Sequence, residues 1–544
     1  MSSLQPITEV ARRLGVADPL VVPYGSDKAK IRLEARDSGR PLGRLVLVSA
    51  ITPTSAGEGK TTTSIGLAQG LARCGEQVCL ALREPSLGPT FGIKGGATGG
   101  GKSTVEPSEE INLHFTGDFH AITAAHNLLA ALLDNHLHQG NELGIDPRRV
   151  LWPRVQDVND RALRNVVVGL GGPAQGVPRE GGFDITAASE VMAALCLARD
   201  AEDLRARLGR LIVGLTYGRE PVTAADLQAV GAMMVLLRDT LMPNLAQSVE
   251  GVPALIHGGP FANIAHGCNS IIATTMGLSL ADWLVTEAGF AFDLGGEKFF
   301  DIKCASAGLA PAAVVLVATV RALKRHGGVA QEDLETPDPA AVERGLDNLR
   351  KHVENVQLFH DAPVVALNRF GTDSSEEIDV VRRACGEMGA PFALADHFAR
   401  GGEGAQELAE AVMAHARKEP KPVERLYDVT APFETKMETV AKKVYGAAEV
   451  VYTKDAEKDL AQIQRLGYEN LPLCVAKTPA SLSDDPSLIN RPRDFPVTVR
   501  GVVLSPGAGF LVPLLGSVLR MPGLPKSPQA VRMDLVDGEI VGMR

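Results

Sequence analysis

The stretch LVLVSAITPTSAGEGKTTTSIGLAQGLAR, residues 45–73, decides how the chain is read. Leu45 to Ser49 is an apolar, β-branched run of strand length. Ser64 to Arg73 spaces Ile65, Leu67, Ala68, Leu71 and Ala72 as a helix does. Between them Gly57, Gly59, Lys60 and Thr61 spell G-x-G-K-T. A strand, a glycine-rich turn and a helix start, in that order, aim backbone N–H groups and the helix N-terminus at one spot, which suits an anion. The full phosphate-loop pattern also wants a glycine five positions before Gly59, where Thr54 stands. An ordinary βα turn with an exposed lysine is the competing reading, and the G-x-G-K-T-T ending favours the nucleotide. Gly57 and Gly59 then let the backbone approach phosphate oxygens. Lys60 reaches the β- and γ-phosphates, and Thr61 holds Mg²⁺ through its hydroxyl.

Working outward, QVCLAL (77–82) is a second strand candidate and ends at Arg83. Further runs are NVVVGL (165–170), LIVGL (211–215), PALIH (253–257), WLVTE (283–287), PVVALN (363–368) and PFALAD (391–396). Apolar strands alternating with helices predict an α/β fold: a P-loop NTPase-like, mostly parallel sheet core with additional α/β domains. Adjacent parallel strands end on one edge, so Arg83 belongs beside the phosphate loop, placed to fork onto a phosphate or carboxylate. An ion pair with a nearby acid is its alternative role. Lys94, beside the glycine cluster at 95–101, is a lesser candidate of the same kind. No single acid among the 65 acidic residues stands out as the second Mg²⁺ ligand.

Polar, proline-bearing stretches at 331–340 (QEDLETPDPA) and 418–423 (KEPKPV) read as connections. The expected division is 1–104 plus about 345–430 as a discontinuous nucleotide-binding domain, 105–344 as a second α/β domain completing the cleft, and 431–544 as a C-terminal α/β domain.

A formal charge of −10 argues against a nucleic-acid or anionic-membrane surface, so an anionic ligand needs a local basic pocket. No apolar run is long enough to span a bilayer, and MSSLQPITEVARRLG lacks an apolar signal core. Seven scattered cysteines without C-x-x-C suggest buried free thiols in a reducing, cytoplasmic compartment. His114, Asp118, His120 and His126, and the pair His257 and His266, show neither H-x-x-x-H nor H-E-x-x-H. Hydrogen-bonding roles are expected for them rather than a metal site. LNRFGTD (367–373) and DHFARGGEG (396–404) put Phe370 and Phe398 at two strand exits. Two rings flanking a cleft suit a flat heterocycle, although core phenylalanines before a glycine turn would look the same.

Longer blocks carry a resemblance. REPSLGPTFGIKGGATGGG, EINLHFTGDFHAITAAHNLLAALLDNH, FDITAASEVMAALCLA, HGGPFANIAHGCNS, SLSDDP, RPRDF and MPGLPKSP, in this order, resemble the formate–tetrahydrofolate ligase (10-formyltetrahydrofolate synthetase) family. The resemblance implies a cytoplasmic homotetramer that joins formate to N10 of tetrahydrofolate through formyl phosphate, at the expense of MgATP. A monovalent cation (K⁺ or NH₄⁺) would assist. It further implies that Thr54, Ser55, Ala56, Gly57, Glu58, Gly59, Lys60 and Thr61 form the ATP loop, that Lys60 and Arg83 are catalytic, and that Phe370 and Phe398 bind folate. Small molecules are then the partners, with neither nucleic acid nor membrane. Departures from the family pattern stand at Ser55 (proline is usual), Phe398 (often tryptophan), Lys102, Thr104, Ala305-Ser306 (usually Arg-Tyr) and Leu515-Gly516-Ser517. Those at Ala305, Ser306 and 515–517 leave room for a catalytically impaired member, and the deviant loop alone for a nucleotide-switched binding protein.

Overall fold

The structure, a computed structural model, describes residues 4–54, 57–93 and 95–543. Ser55 and Ala56 of the candidate loop, and Lys94, lie outside the described residues. The centre is a parallel sheet of β1 (Arg44–Ala50), β2 (Val78–Leu82), β3 (Pro253–Ile256), β4 (Trp283–Glu287), β5 (Pro311–Ala318), β6 (Val364–Asn368) and β7 (Phe392–Ala395). Their hydrogen-bonded order is β3-β2-β4-β1-β5-β6-β7. Antiparallel segments Asn244–Ser248, Ala29–Ile31 and Val21–Pro23 continue the sheet beyond β3. The chain is therefore α/β, with a mostly parallel central sheet that draws strands from residues 21 to 395.

These strands read as continuous apolar runs because both faces are covered. Along β1, Leu45 and Leu47 enter one core with Cys79, Leu284 and Leu316. Val46 and Val48 enter the other with Leu80, Val285 and Val315. Successive side chains point to opposite faces, so every second residue changes core. Helix α1 (Lys60–Arg73) covers the Val46 side through Ile65, Leu67, Ala68 and Leu71. Two helices that follow β5, α2 (Val320–His326) and α3 (Pro339–Gln357), pack on the Leu45 side through Val320, Leu323, Val342, Leu346 and Leu349.

Two expected strands stay out of this sheet. Val166–Val168 pairs with Arg179–Gly181, and Ile212–Thr216 lies in a small sheet with Ile145–Val150 and Pro221–Thr223, all antiparallel. Parallel pairing needs a crossover of a dozen or more residues. Here the chain turns back at once, at Gly169, Gly171 and Gly172 in one case and at Arg219 (φ 69°) in the other. Beyond the KEPKPV stretch a further core gathers Met437, Val440, Val444, Val497, Val499 and Leu511. All seven cysteines are free, and six are buried. No described helix is long and apolar enough to cross a membrane.

Candidate active site

The phosphate-loop candidate leaves the carboxyl end of β1 in the middle of the sheet, and α1 begins at Lys60. Gly57 and Gly59 take left-handed backbone (φ 76° and 74°). A Cβ on Gly59 would stand 2.6 Å from Asn368 Nδ2, so both the backbone and the space demand glycine there. The position where a third glycine was wanted has a different use. The Thr54 N–H and hydroxyl both donate to Glu58 Oε1 (2.7 and 3.1 Å). Glu58 Oε2 accepts from the Thr319 hydroxyl at the end of β5, and the Glu58 carbonyl accepts from Asn368 Nδ2 (3.2 Å) at the end of β6. Glu58 is thus almost wholly buried, and its side chain and carbonyl together tie the loop to the ends of β5 and β6.

Thr61 Oγ1 donates to Glu287 Oε2 (2.8 Å). Glu287 ends β4, the neighbour of β1, and its Oε1 lies 3.7 Å from Arg83 Nη2. Arg83, at the end of β2, also donates from Nη1 to the Pro260 carbonyl (3.2 Å). Gly289 makes room for it, since a Cβ there would stand 2.9 Å from Nη1. Thr61 of the loop and Arg83 therefore meet around one acid, and Arg83 takes the ion pair that was its alternative role. Glu287 is the residue that sequence reasoning missed. Its signal was present in WLVTE, an apolar strand ending in a carboxylate, but only the strand order puts that end beside Thr61.

Next to Arg83, burial and the neighbouring Asp118 carboxylate push the Glu84 carboxyl well above the usual carboxylate range. Asp118 itself accepts from Lys30 Nζ (2.8 and 3.0 Å) and from Asn244 Nδ2 (2.7 Å). It begins helix Asp118–His138 directly after Gly117 (φ 90°), so His114 lies outside that helix. Asp157 accepts from the Ser86 hydroxyl (2.6 Å) and the Leu87 N–H (2.8 Å), and burial pushes it up to about 7.

The histidines divide. His126 bonds Ser189 Oγ and the Pro153 carbonyl and stacks on Trp152 (4.2 Å), and His257 bonds Ser270 Oγ and the Thr240 carbonyl. Both rings are spent on hydrogen bonds. His266 is buried beside Phe510. Among the described residues no group of His, Cys, Asp and Glu is arranged to hold a metal ion.

Phe370 and Phe398 leave the carboxyl ends of adjacent strands β6 and β7. The Arg321 guanidinium lies over one face of Phe370 (4.4 Å to the centroid), and the Phe370 N–H donates to Asp373 Oδ2 (2.8 Å). Phe398 rests on the glycine cluster. A Cβ on Gly100 or Gly101 would stand 3.0 Å from its ring, and the Lys102 N–H donates to the Phe398 carbonyl (2.9 Å). One turn along α1, Gly66 admits the His397 ring, whose Nε2 bonds Thr63 Oγ1 (3.2 Å). The aromatic shelf is thereby seated on the phosphate helix. Ala305 and Ser306 form a single helical turn before β5, and the Ser306 hydroxyl donates to the carbonyl of Lys303 (3.0 Å), whose Nζ bonds Asn269 Oδ1 and Thr274 Oγ1. Ala307 packs there with Ile302, Cys474 and Ala476.

One sheet edge thus brings together the glycine-rich loop, Arg83, the shared acid Glu287 and the two aromatics. The family model described as formate–tetrahydrofolate ligase matches residues 1–544, and the chain belongs to that family of ligases, which use ATP and tetrahydrofolate as substrates.

Proposed function

We propose that the chain makes 10-formyltetrahydrofolate in two steps at the carboxyl edge of the sheet. A formate oxygen attacks the γ-phosphorus of ATP, the bond to the ADP oxygen breaks, and formyl phosphate forms. N10 of tetrahydrofolate then attacks the formyl carbon. The C–O bond to phosphate breaks, phosphate leaves with the electron pair, and the N10 proton ends on it. Phosphorylation turns an oxide, a poor leaving group, into phosphate, a good one.

In this reading Thr54–Thr61 cradles the triphosphate, with backbone N–H groups and Lys60 on the β- and γ-phosphates. Arg83 faces the charge that grows on the transferred group in both steps. Thr61 and Glu287 would hold Mg²⁺, because a hydroxyl and a carboxylate 2.8 Å apart are the hard oxygen donors that ion prefers. When bound, Mg²⁺ neutralises phosphate charge. Phe370 and Phe398 stack the folate heterocycle, which keeps water from the mixed anhydride. We assign the enzyme to the cytoplasm as a homotetramer activated by a monovalent cation.

The supporting observation is Glu287, which reaches both Thr61 and Arg83 and so brings nucleotide loop and anion-binding arginine to one point. The test supplies ATP, Mg²⁺, K⁺, formate and tetrahydrofolate and follows 10-formyltetrahydrofolate. With ¹⁸O-labelled formate, one label must appear in phosphate. Product without that transfer overturns the formyl phosphate route, and no product overturns the reading as a whole.

A further inference from the structure

Thr52, two residues past β1, leads into the phosphate loop, and side chains from α2 and α3 hold all of its polar groups. Its N–H donates to Asn348 Oδ1 (3.2 Å) and its carbonyl bonds His326 Nε2 (3.0 Å). Its hydroxyl accepts from Asn348 Nδ2 (3.0 Å) and bonds His352 Nε2 (3.0 Å). His326 and Asn348 then turn their remaining atoms to one residue. His326 Nδ1 accepts from the Asn490 N–H (3.0 Å), and Asn348 Nδ2 donates to the Asn490 carbonyl (2.8 Å). Because Nδ1 accepts, the imidazole is neutral and Nε2 carries the proton given to Thr52.

The result is a closed ring of four hydrogen bonds: Thr52 backbone, His326, Asn490 backbone, Asn348 and back to Thr52. Three of its members, Thr52, His326 and Asn348, are buried. Asn490 takes left-handed backbone (φ 63°), which turns its N–H and carbonyl to the two bridging side chains. It is itself fixed, through Nδ2 to the Arg344 carbonyl (2.9 Å) and through the Arg491–Glu354 fork (2.8 and 2.7 Å).

We propose that Asn490, acting through His326 and Asn348, makes the C-terminal segment a positioning element for the phosphate loop. These residues act on Thr52 and not on substrate. Two backbone groups at the loop's start, pinned from two sides, fix the direction in which the following N–H groups face the phosphates, and a site held by a second layer of bonds binds without reorganising. The inference rests on the reading of Thr54–Thr61 as the ATP loop. It also gives SLSDDP and RPRDF, which flank Asn490, a reason to stand where they do.

The test uses the full chain and measures KM for ATP, formate and tetrahydrofolate separately, with ADP affinity by calorimetry. His326→Ala and Asn348→Ala each raise the ATP KM and the ADP Kd on the order of tenfold, leaving the formate and folate KM within about twofold. The double variant loses little more than either single one, because both break the same ring. If the alanine variants do not fold, two substitutions at Asn490 decide. Asn490→Gly keeps the left-handed backbone and holds wild-type ADP affinity, whereas Asn490→Val disfavours that backbone and loses affinity on the order of tenfold. Unchanged ADP affinity in the folded variants overturns the proposal, as does an equal loss for all three substrates. A wild-type chain that binds no ADP overturns the ATP-loop reading instead.

Discussion

Thr52, Glu58 and Thr61 are held by residues from β4, β5, β6, α2 and α3. At Phe370 and Phe398 two rings stand at strand exits, one of them 56% exposed. The two sides of one sheet edge are thus built on opposite plans, and under the proposed function the difference follows from what each would bind. In that reading phosphoryl transfer is helped by dipoles that are already aimed, and Thr52, Glu58 and Thr61 are held before substrate arrives. A flat heterocycle is held by apolar area and ring stacking, and the exposed Phe398 ring has the most to gain when it is covered.

The sharpest way to break this comparison is Lys60→Ala. We expect kcat to fall by about 10³-fold or more, with an unchanged melting temperature, read as 10-formyltetrahydrofolate formed per enzyme. Turnover near wild type would remove the phosphate side from the chemistry. Glu287→Gln comes next. The amide retains a hydrogen-bond partner for Thr61 but loses the charge that Mg²⁺ and Arg83 share. We expect kcat to fall by about 10²-fold and half-saturation in Mg²⁺ to rise about tenfold. A Mg²⁺ titration that matches wild type would show that Glu287 serves only to orient Arg83.

How much of this was legible beforehand differs between the same two sides. G-x-G-K-T between strand and helix located the loop, and Arg83 followed from its place at a strand end. Thr54 was read as a missing glycine, because its partner Glu58 acts through a side chain whose direction no spacing reveals. Glu287 was one acid among 65 until the order β2-β4-β1 set its strand end between Arg83 and Thr61. His326, Asn348 and Asn490 gave no signal, since they come together only by long-range packing. NVVVGL and LIVGL read as parallel strands because an apolar run says nothing about its partner, and the turn after each settled that. Ala305 and Ser306 follow Lys303, whose tie to Asn269 and Thr274 no spacing reveals.

The aromatic side is tested by Phe398. Replacing it with alanine removes one ring of the shelf and leaves the glycine cluster beneath it in place. We expect the tetrahydrofolate KM to rise about tenfold, roughly 1.4 kcal/mol, while the ATP KM stays within about twofold. Phe398→Trp, which offers a larger ring, should bind folate at least as well as wild type. Equal rises in both KM values for the alanine variant would mean that the shelf props the phosphate helix through His397 instead of meeting folate.

The smallest effect is one of pH, and it distinguishes the braced side from the aromatic one. Burial lowers His326, His352 and His397 to about 4, and each bonds the loop or its helix as a neutral ring, at the Thr52 carbonyl, the Thr52 hydroxyl and the Thr63 hydroxyl. A base whose folded pKa is depressed adds stability that is present above its unfolded value near 6.5 and lost as pH falls toward 4. Between pH 7 and pH 5 each ring then costs on the order of 1 kcal/mol, and the melting temperature should drop by several degrees. His126, His257 and His266, lowered to between about 3 and about 4, contribute with the same sign from other parts of the molecule, so the slope alone does not locate the effect. The variants do. His352→Gln keeps a partner for Thr52 without a titrating ring and should shallow the slope, while Phe398→Ala should leave it as in wild type. If both variants follow the wild-type slope, neutral imidazoles are not what holds the loop, and the contrast between the two sides reduces to exposure alone.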